Sequence, residues 1–409
     1  MYRVPVTAIP QGARRAVVIL TAMNLLNYVD RYVPSAVKEL LKTDLGLTDE
    51  ETSYPLTAFV IVYMLASPIF GSLADRYPRR VVIAAGVALW SLATALAAFA
   101  TGFWSLLVAR AFVGVGEAAY ATLSPALLSD YYPPERRNKV LTLFYVAIPV
   151  GSALGFALGG WLGELYGWRA AFMAVGFPGV LAALLVLRVP DPGRGTFDAD
   201  RHEAPVGWPI ALRRLFATPE YVYAVGGYVL VTFAAGALAD WFPTYLHRVH
   251  EMPLDKAGTV VGGATVIGGI GGTVLGGWLG DWLRGRTRNP YLAVSAVTMA
   301  LAAGFAVLAL RATGTWTIAA LIALAQVFLW AYNAPVNAII VNAVPSTLRV
   351  RAAAFSILAI HLFGDAISPP IVGLISTATG NLGLALALVP VTMALGALVW
   401  FAGWRRIPA

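Results

Sequence analysis

Apolar runs of about twenty residues recur along nearly the whole chain, with short polar or charged loops between them. A helix needs about twenty residues to cross a ~30 Å hydrocarbon core, so each run is long enough to span a bilayer. The pattern predicts twelve transmembrane helices, at residues 15–40, 53–75, 80–101, 103–130, 138–165, 168–188, 219–247, 256–283, 290–311, 313–343, 350–379 and 381–404. The expected fold class is therefore an all-α polytopic membrane protein.

Composition and charge agree with a bilayer as the solvent. The chain is 59% hydrophobic and 12% charged, whereas soluble domains are about half apolar and about a quarter charged. The net charge of +8 is unevenly placed, because 21 of the 29 Lys and Arg residues lie at one face of the predicted membrane and six at the other. Cytoplasmic loops carry such an excess. We therefore predict a multi-pass protein of the cell membrane, with both termini cytoplasmic and no nucleic-acid partner.

The least hydrophobic stretch divides the chain near its middle. Residues 190–218 carry many charged side chains between predicted helices 6 and 7, and we interpret them as a cytoplasmic linker. The sequence thus predicts an N-terminal six-helix bundle at 1–189 and a C-terminal six-helix bundle at 219–409.

A short loop signature is repeated in the two halves. Gly71-Ser-Leu-Ala-Asp75 matches Gly277-Trp-Leu-Gly-Asp281, glycine to glycine and aspartate to aspartate, at an offset of 206 residues. Several transporters build a central pathway from parallel halves of this kind, which rock against each other. The repeat therefore favours a transporter that works by alternating access.

The repeated loop, together with the arginines that follow it, resembles the signature of the major facilitator superfamily. Helix 4 adds a second pattern of that family, Arg110-Ala-Phe-Val-Gly114-Val-Gly116-Glu117. Residues 151–160 of helix 5 resemble an antiporter-type glycine motif, although Phe156 stands where that motif usually has proline. The resemblance implies the major facilitator fold, with two pseudo-symmetric six-helix bundles.

We expect the signature loop to take part in the conformational switch. Asp75 is predicted to act as a cytoplasmic latch between helices 2 and 11, where a carboxylate at a helix N-terminus is favourable. Arg136 is expected to bond Asp75. The remaining switch candidates are Arg79, Arg110 and Asp281.

At a finer level the first half resembles the Spinster family, the lysolipid and sphingolipid transporter-like branch. The segments that carry this resemblance are residues 24–32, 70–76, 114–120, 133–137 and 148–152. It implies that the substrate is a lysophospholipid or a similar amphipathic lipid. The Asn-Tyr-x-Asp-Arg element of helix 1 is also shared with anion and sugar-acid symporters, so a symporter or exporter of small organic anions or drugs is the alternative.

Ionisable side chains within the predicted helices are candidates for function, because each costs several kcal/mol in hydrocarbon unless it is paired or faces water. Asp30 and Arg31 of helix 1 and Glu117 of helix 4 lie near the predicted midplane. We expect ionised Asp30 to pair with Arg31, and Asp30 and Glu117 to carry the coupled proton. The structural alternative is that Asp30 and Arg31 only neutralise each other.

Helix 11 holds a second candidate proton site. His361 and Asp365 are four residues apart and so share a face of the helix. Histidine has an ordinary pKa near neutrality, which suits proton transfer. A hydrogen-bonded helix contact is the competing explanation for this pair.

Arg31 is also expected to meet the anionic head group of the substrate, while aliphatic and aromatic walls take its chain. Further substrate-binding candidates on predicted cavity-lining helices are Asn27, Tyr120, Phe233, Asn333 and Asn337. Interhelical hydrogen bonding and core packing explain these polar and aromatic side chains equally well.

Other kinds of chemistry lack a recognisable signature. The glycine clusters at 114–116 and 262–272 follow no strand of a βαβ unit, so they indicate helix packing. Four histidines without any cysteine or a His-x-x-x-His spacing predict no metal site, and no Walker-type phosphate loop is present. We therefore expect a monomeric transporter, not an enzyme, that uses protons and no cofactor.

Overall fold

The computed structural model describes residues 9–74, 76–193, 196–197, 207–345 and 348–407, and this part of the chain is helical without strands. By backbone contacts the chain forms two compact units. The first is Met1–Leu47 with Ala58–His202, and the second is Thr48–Thr57 with Glu203–Ala409. The division after His202 falls inside the segment 190–218.

In the first half of the chain, α1 ends two residues after Pro34 and a short helix, α2, follows it. The single helix predicted at 15–40 is thus divided at Val37, whose backbone is not helical (φ −106°, ψ 15°). The helices of this half are α1 Ala13–Ala36, α2 Lys38–Leu45, α3 Asp49–Leu73, α4 Arg79–Ala97, α5 Phe103–Asp130, α6 Pro134–Tyr166 and α7 Trp168–Val186.

In the second half, two π-helical turns interrupt predicted helices, Ile267–Gly272 between α10 and α11 and His361–Asp365 after α15. Such turns are rare and occur often at functional sites. The helices of this half are α8 Trp208–Phe216, α9 Pro219–His250, α10 Leu254–Val266, α11 Thr273–Leu283, α12 Pro290–Arg311, α13 Thr315–Trp330, α14 Asn333–Asn342, α15 Arg349–Ile360, α16 Ser368–Thr379, α17 Leu382–Leu386 and α18 Leu388–Arg406.

Within the described residues, eleven helical stretches are long and apolar enough to cross a membrane. Each of them coincides with one of the predicted helices 2 to 12. The remaining prediction corresponds to α1, which has 24 residues and whose mean hydropathy is lowered by Asn24, Asn27, Asp30 and Arg31. The prediction of a polytopic helical membrane protein is confirmed.

Glycines of α6 allow it to lie directly against α1. A Cβ atom at Gly151 would lie 2.7 Å from the carbonyl oxygen of Leu25, and one at Gly155 would lie 2.6 Å from that of Val29. No side chain fits at these distances, so the two backbones approach as closely as small residues permit in membrane bundles. Phe156, the departure from the antiporter-type motif, is buried and packs on Tyr32 with ring centroids 4.8 Å apart. This packing holds the charged part of α1 in place.

Buried aromatic donors connect the helices of the second unit. Trp241 of α9 donates to the Pro369 carbonyl at 2.9 Å, Trp400 of α18 to the Ala224 carbonyl at 3.2 Å, and Tyr221 of α9 to the Ala352 carbonyl at 2.7 Å. Each aromatic ring thereby buries a large apolar surface while its polar atom is satisfied.

The first turns of α3 belong to the second unit, and an ion pair connects them to it. Arg248 of α9 donates to both carboxylate oxygens of Asp49, at 2.7 and 2.9 Å, and the Ser376 hydroxyl of α16 donates to the same carboxylate at 2.5 Å. Asp49 is buried. A bidentate arginine and a hydroxyl therefore satisfy this carboxylate, which fixes the start of α3 against α9 and α16.

Candidate functional site

The centre of the first unit contains a buried ion pair between α1 and α5. Arg31 donates to one carboxylate oxygen of Glu117, Oε2, from Nη2 at 2.5 Å and from Nε at 3.2 Å. Glu117 is completely buried, and its other oxygen, Oε1, has no hydrogen-bond partner among the described residues. One oxygen of this carboxylate thus accepts two hydrogen bonds, and the other accepts none from the described residues.

Three aromatic rings surround the guanidinium of Arg31. Its Cζ atom lies 4.7 Å from the ring centroid of Tyr28, 4.9 Å from that of Phe59 and 5.6 Å from that of Tyr63. Aromatic faces attract cations, so they hold the guanidinium without neutralising its charge. About a fifth of the Arg31 side chain remains exposed, at 19%. The cation is therefore both held in place and reachable.

Asp30, the next residue of α1, has different partners. The Thr94 hydroxyl of α4 lies 2.8 and 2.7 Å from its two carboxylate oxygens, and Nη1 of Arg110 lies 3.6 Å from Oδ1. Asp30, Thr94 and Arg110 are each 1% exposed. This second charged group is consequently sealed inside the first unit.

These contacts correct the pairing expected from the sequence. Asp30 was expected to pair with Arg31, but Arg31 makes its ion pair with Glu117, and Asp30 makes its ion pair with Arg110. Successive residues of a helix point about 100° apart, so neighbours in sequence do not face each other. Glu117, for which no partner was predicted, is the partner of Arg31. The four charged residues form two pairs within one unit.

The other polar candidates of the first unit lie inside the bundle. Tyr120 is fully buried, donates to the Leu20 carbonyl and packs edge-on against Trp90 at 5.4 Å. Asn27 is 2% exposed, and its Nδ2 has no hydrogen-bond partner among the described residues. Tyr120 is therefore placed as a packing residue, whereas Asn27 retains an unused donor next to the charged part of α1.

The second unit holds the candidates from helices 7, 10 and 11. Asn337 donates to the Asn333 side chain at 2.8 Å, and His361 Nδ1 lies 3.0 Å from both carboxylate oxygens of Asp365. Both members of the His361–Asp365 pair are about a quarter exposed and belong to a π-helical turn. Phe233 is nearly buried on α9, beside Gly364 of that turn. The His361–Asp365 contact is thus a hydrogen bond within one helical turn, and the role of the pair as a second proton site stays a prediction.

The switch candidates have separate environments. Arg79, at the start of α4, is 5% exposed and donates to Asp130 at 2.5 Å and to Asp191 at 2.6 and 3.1 Å. Arg79 thus joins the end of α5 to the residues after α7. Asp281 pairs with Arg284 at 3.0 Å on an exposed surface, and Arg136 is exposed. Asp75, the predicted latch, lies outside the described residues.

Sequence reasoning missed three side chains that complete these groups: Thr94, Asp130 and Asp191. Asp130 is the final residue of α5 and Asp191 lies in the polar linker, so neither is marked by a position inside an apolar run. Thr94 is one of two hydroxyl side chains, with Ser91, within the apolar sequence of α4. A polar residue among apolar ones is the only signal that marks it, and helix threonines commonly bond their own backbone instead.

Comparison with known proteins shows the fold and the family of the chain. A model of the Major Facilitator Superfamily matches residues 20–357. A bacterial homologue of the human lysosomal transporter Spinster, solved in an inward-facing and occupied conformation, superposes with a TM-score of 0.84 at 21% identity, covering 98% of each chain. Fold and family model together define a membrane transporter of the major facilitator type, and the predicted fold class is confirmed.

Sequence relatives narrow the assignment further. Protein spinster homolog 1 of Xenopus laevis is 34% identical over 381 residues, which are 88% of this chain and 72% of the relative. The sphingosine-1-phosphate transporter SPNS2 of Xenopus tropicalis is 31% identical over 413 residues, with 94% and 80% coverage. The chain belongs to the Spinster family of the major facilitator superfamily, as its sequence motifs predicted.

Proposed function

We propose that this transporter is a proton-coupled secondary carrier of a lysophospholipid or a similar amphipathic lipid, working by alternating access. The observation that carries the proposal is the Arg31–Glu117 pair, in which a reachable cation is held by a buried carboxylate with one unpartnered oxygen. Such a pair can exchange its internal partner for an anionic substrate when the carboxylate takes a proton.

Protonation of Glu117 supplies the switch. A proton placed on Oε1 breaks no hydrogen bond, because this oxygen has no partner among the described residues. The protonated side chain is neutral and holds Arg31 only by a weaker hydrogen bond, since bonds between charged groups are about twice as strong as neutral ones. The guanidinium, still held by Tyr28, Phe59 and Tyr63, is then free to bind an anion. Proton uptake and substrate binding thereby stabilise the same state.

Asp30 is the second proposed proton site. Its carboxylate accepts a hydrogen bond from the Thr94 hydroxyl and faces Arg110. A change in its protonation state therefore changes the contacts among α1, α4 and α5. A change of this kind alters packing between helices and can bias a two-state rearrangement. Protonation of Asp30 therefore acts on the packing of the helices, whereas protonation of Glu117 acts on Arg31, the cation that binds the substrate.

The chemistry around Arg31 suits a lipid with an anionic head group. An arginine binds phosphate or carboxylate oxygens with two parallel donors, and the aromatic rings beside it offer apolar surface for the adjoining part of the substrate. Sphingosine-1-phosphate, carried by one relative, combines a phosphate with a long hydrocarbon chain. Asn27 is placed as a further donor, and Phe233, Asn333 and Asn337 remain proposed substrate contacts of the second unit.

The remaining parts of the proposal concern setting and conformational change. The proposed carrier is a monomer of the cell membrane with cytoplasmic termini, and in this proposal residues 190–218 link two six-helix bundles, 1–189 and 219–409. The switch role is assigned to Asp75, Arg79, Arg110, Arg136 and Asp281.

Transport measurements with the purified protein in proteoliposomes test the proposal. Uptake of labelled lysophospholipids, sphingosine-1-phosphate and small organic anions is measured with and without an imposed pH gradient, against protein-free liposomes. We expect an amphipathic lipid to be transported, and a pH gradient to drive its accumulation. Transport of organic anions alone would support the alternative substrate class. Lipid transport that does not depend on the pH gradient would contradict proton coupling.

A further inference from the structure

The short helix α8, Trp208–Phe216, has an apolar face of which only part is used within the protein. Ala211 and Leu215 are buried against neighbouring helices. Trp208, Leu212 and Phe216 follow one another at four-residue spacing and so form an adjacent stripe. Trp208 is 49% exposed and Phe216 is 62% exposed. The stripe of Trp208, Leu212 and Phe216 therefore presents aromatic surface outward.

This stripe continues into an exposed apolar surface of α15. The ring of Phe216 packs edge-on against Phe355 with centroids 5.5 Å apart. Ile357 and Leu358, on the next turn of α15, are 53% and 46% exposed. Exposed aliphatic side chains of this kind form a surface that lipid chains can cover. The stripe on α8 and the exposed residues of α15 therefore make one apolar surface.

Cationic side chains border the stripe. Arg213 and Arg214 lie in the last turn of α8, are exposed, and make no ion pair with another described residue. The guanidinium of Arg351, in the first turn of α15, lies 5.9 Å from the ring centroid of Trp208. Its Nε is buried and has no hydrogen-bond partner among the described residues. Arg351 thus lies beside Trp208 at the start of α8, and Arg213 and Arg214 lie at the other end of the same helix.

We propose that α8 is an interfacial helix that binds the head groups of anionic phospholipids through Arg213, Arg214 and Arg351. Trp208, Leu212 and Phe216 enter the bilayer surface, where tryptophan is enriched because its ring is apolar and its N–H is polar. Phosphate oxygens of the lipid accept from the arginines, and the buried Nε of Arg351 gains its missing partner. This binding site is separate from the proposed function and does not depend on it.

The occupant is a lipid in the bilayer and not a dissolved phosphate. A soluble anion would need the arginines but would leave the apolar stripe exposed to water, whereas a phospholipid covers both. Helices that lie in a membrane surface combine these two features, an apolar face and flanking Lys or Arg residues. The arginines add selectivity for anionic head groups over zwitterionic ones.

The cysteine-free sequence allows a direct test. A single cysteine replaces Phe216 on the stripe or, as matched control, Ile210, which lies roughly 160° around the helix from Leu212. Each is labelled with a fluorophore, and the protein is placed in nanodiscs that contain brominated phosphatidylglycerol or brominated phosphatidylcholine. We expect both lipids to quench the label at 216, the anionic lipid more strongly, and neither to quench the label at 210.

Charge variants then identify the head-group site. In the Phe216→Cys background, Arg213→Gln with Arg214→Gln should lower the preference for the anionic lipid by about fivefold per arginine, and high salt should do the same. Arg405→Gln with Arg406→Gln removes the same charge elsewhere and should leave the preference unchanged. The proposal is overturned if the label at 216 escapes quenching, or if the preference persists after Arg213, Arg214 and Arg351 are all replaced by glutamine.

Discussion

Arg31 donates to a single oxygen of Glu117 through two of its nitrogens, while the second oxygen of that buried carboxylate has no partner among the described residues. Removing the cation leaves the carboxylate buried and uncompensated, which typically costs 3–5 kcal/mol. Because Arg31 is 19% exposed, we expect Arg31→Gln to lower the free energy of unfolding by about 3 kcal/mol at neutral pH.

The double variant Arg31→Gln with Glu117→Gln separates this effect from loss of packing. It should recover most of the lost stability, because no unpaired charge remains. Arg76→Gln, an exposed arginine of the same half, is the control and should change stability by less than about 0.5 kcal/mol. Thermal unfolding in detergent measures all three. An Arg31→Gln protein as stable as the wild type would show that the pair is energetically unimportant.

Thr94 is predicted to set the pH at which Asp30 changes its protonation state. Its hydroxyl donates to the ionised carboxylate, and hydrogen bonds to charged groups contribute about 1.5–3 kcal/mol. Thr94→Val removes this donor with little change of shape, so Asp30 should take up its proton at higher pH. Arg110, Arg31 and Glu117 also face this group and are left unchanged by the substitution.

The pH dependence of transport measures the effect of Thr94. Its midpoint should move upward by about one to two pH units in Thr94→Val, since each unit corresponds to about 1.4 kcal/mol. Thr94→Ser keeps the hydroxyl and should restore the wild-type midpoint. Identical profiles for the valine and serine variants would show that Thr94 does not act on Asp30.

Arg79 is predicted to stabilise the first unit. It is buried and joins Asp130 at the end of α5 to Asp191 after α7. Arg79→Gln removes the ion pairs of Arg79 with two carboxylates and should cost about 3 kcal/mol, at the lower end for a buried pair because Asp191 is 28% exposed. The exposed neighbour Arg80 provides the control, since Arg80→Gln should leave the melting temperature nearly unchanged. Equal melting temperatures for the two variants would contradict this role.

The fold was predictable because membrane helices need long apolar runs, and each of the eleven apolar stretches lies on one predicted helix. Interruptions within the runs were harder to place. Within the π-helical turn at His361–Asp365, Gly364 packs closely against α9, since a Cβ there would lie 2.9 Å from that of Thr232. A contact between distant segments of this kind leaves no periodic signal in the sequence.

The site was predictable in its members but not in its pairs. Charged residues within apolar helices are conspicuous, so Asp30, Arg31, Glu117 and Arg110 could all be selected. Their partners depend on which faces of α1, α4 and α5 meet, and that is decided by close contacts such as Gly116 against Gly86, where a Cβ would lie 2.5 Å from a carbonyl oxygen. Adjacency of Asp30 and Arg31 in sequence was therefore a misleading guide.

The pH dependence of transport by Glu117→Gln and Asp30→Asn, measured in proteoliposomes over a range of internal and external pH, tests the central claim most directly. Each substitution is nearly isosteric and imitates the protonated acid. Glu117→Gln should keep Arg31 available at every pH, so the protein exchanges substrate but no longer accumulates it with a pH gradient, and Asp30→Asn should also lose pH-dependent transport. If both variants keep the wild-type rate and pH dependence, these carboxylates are structural, and the coupled proton must be carried elsewhere, with His361 and Asp365 as the remaining candidates.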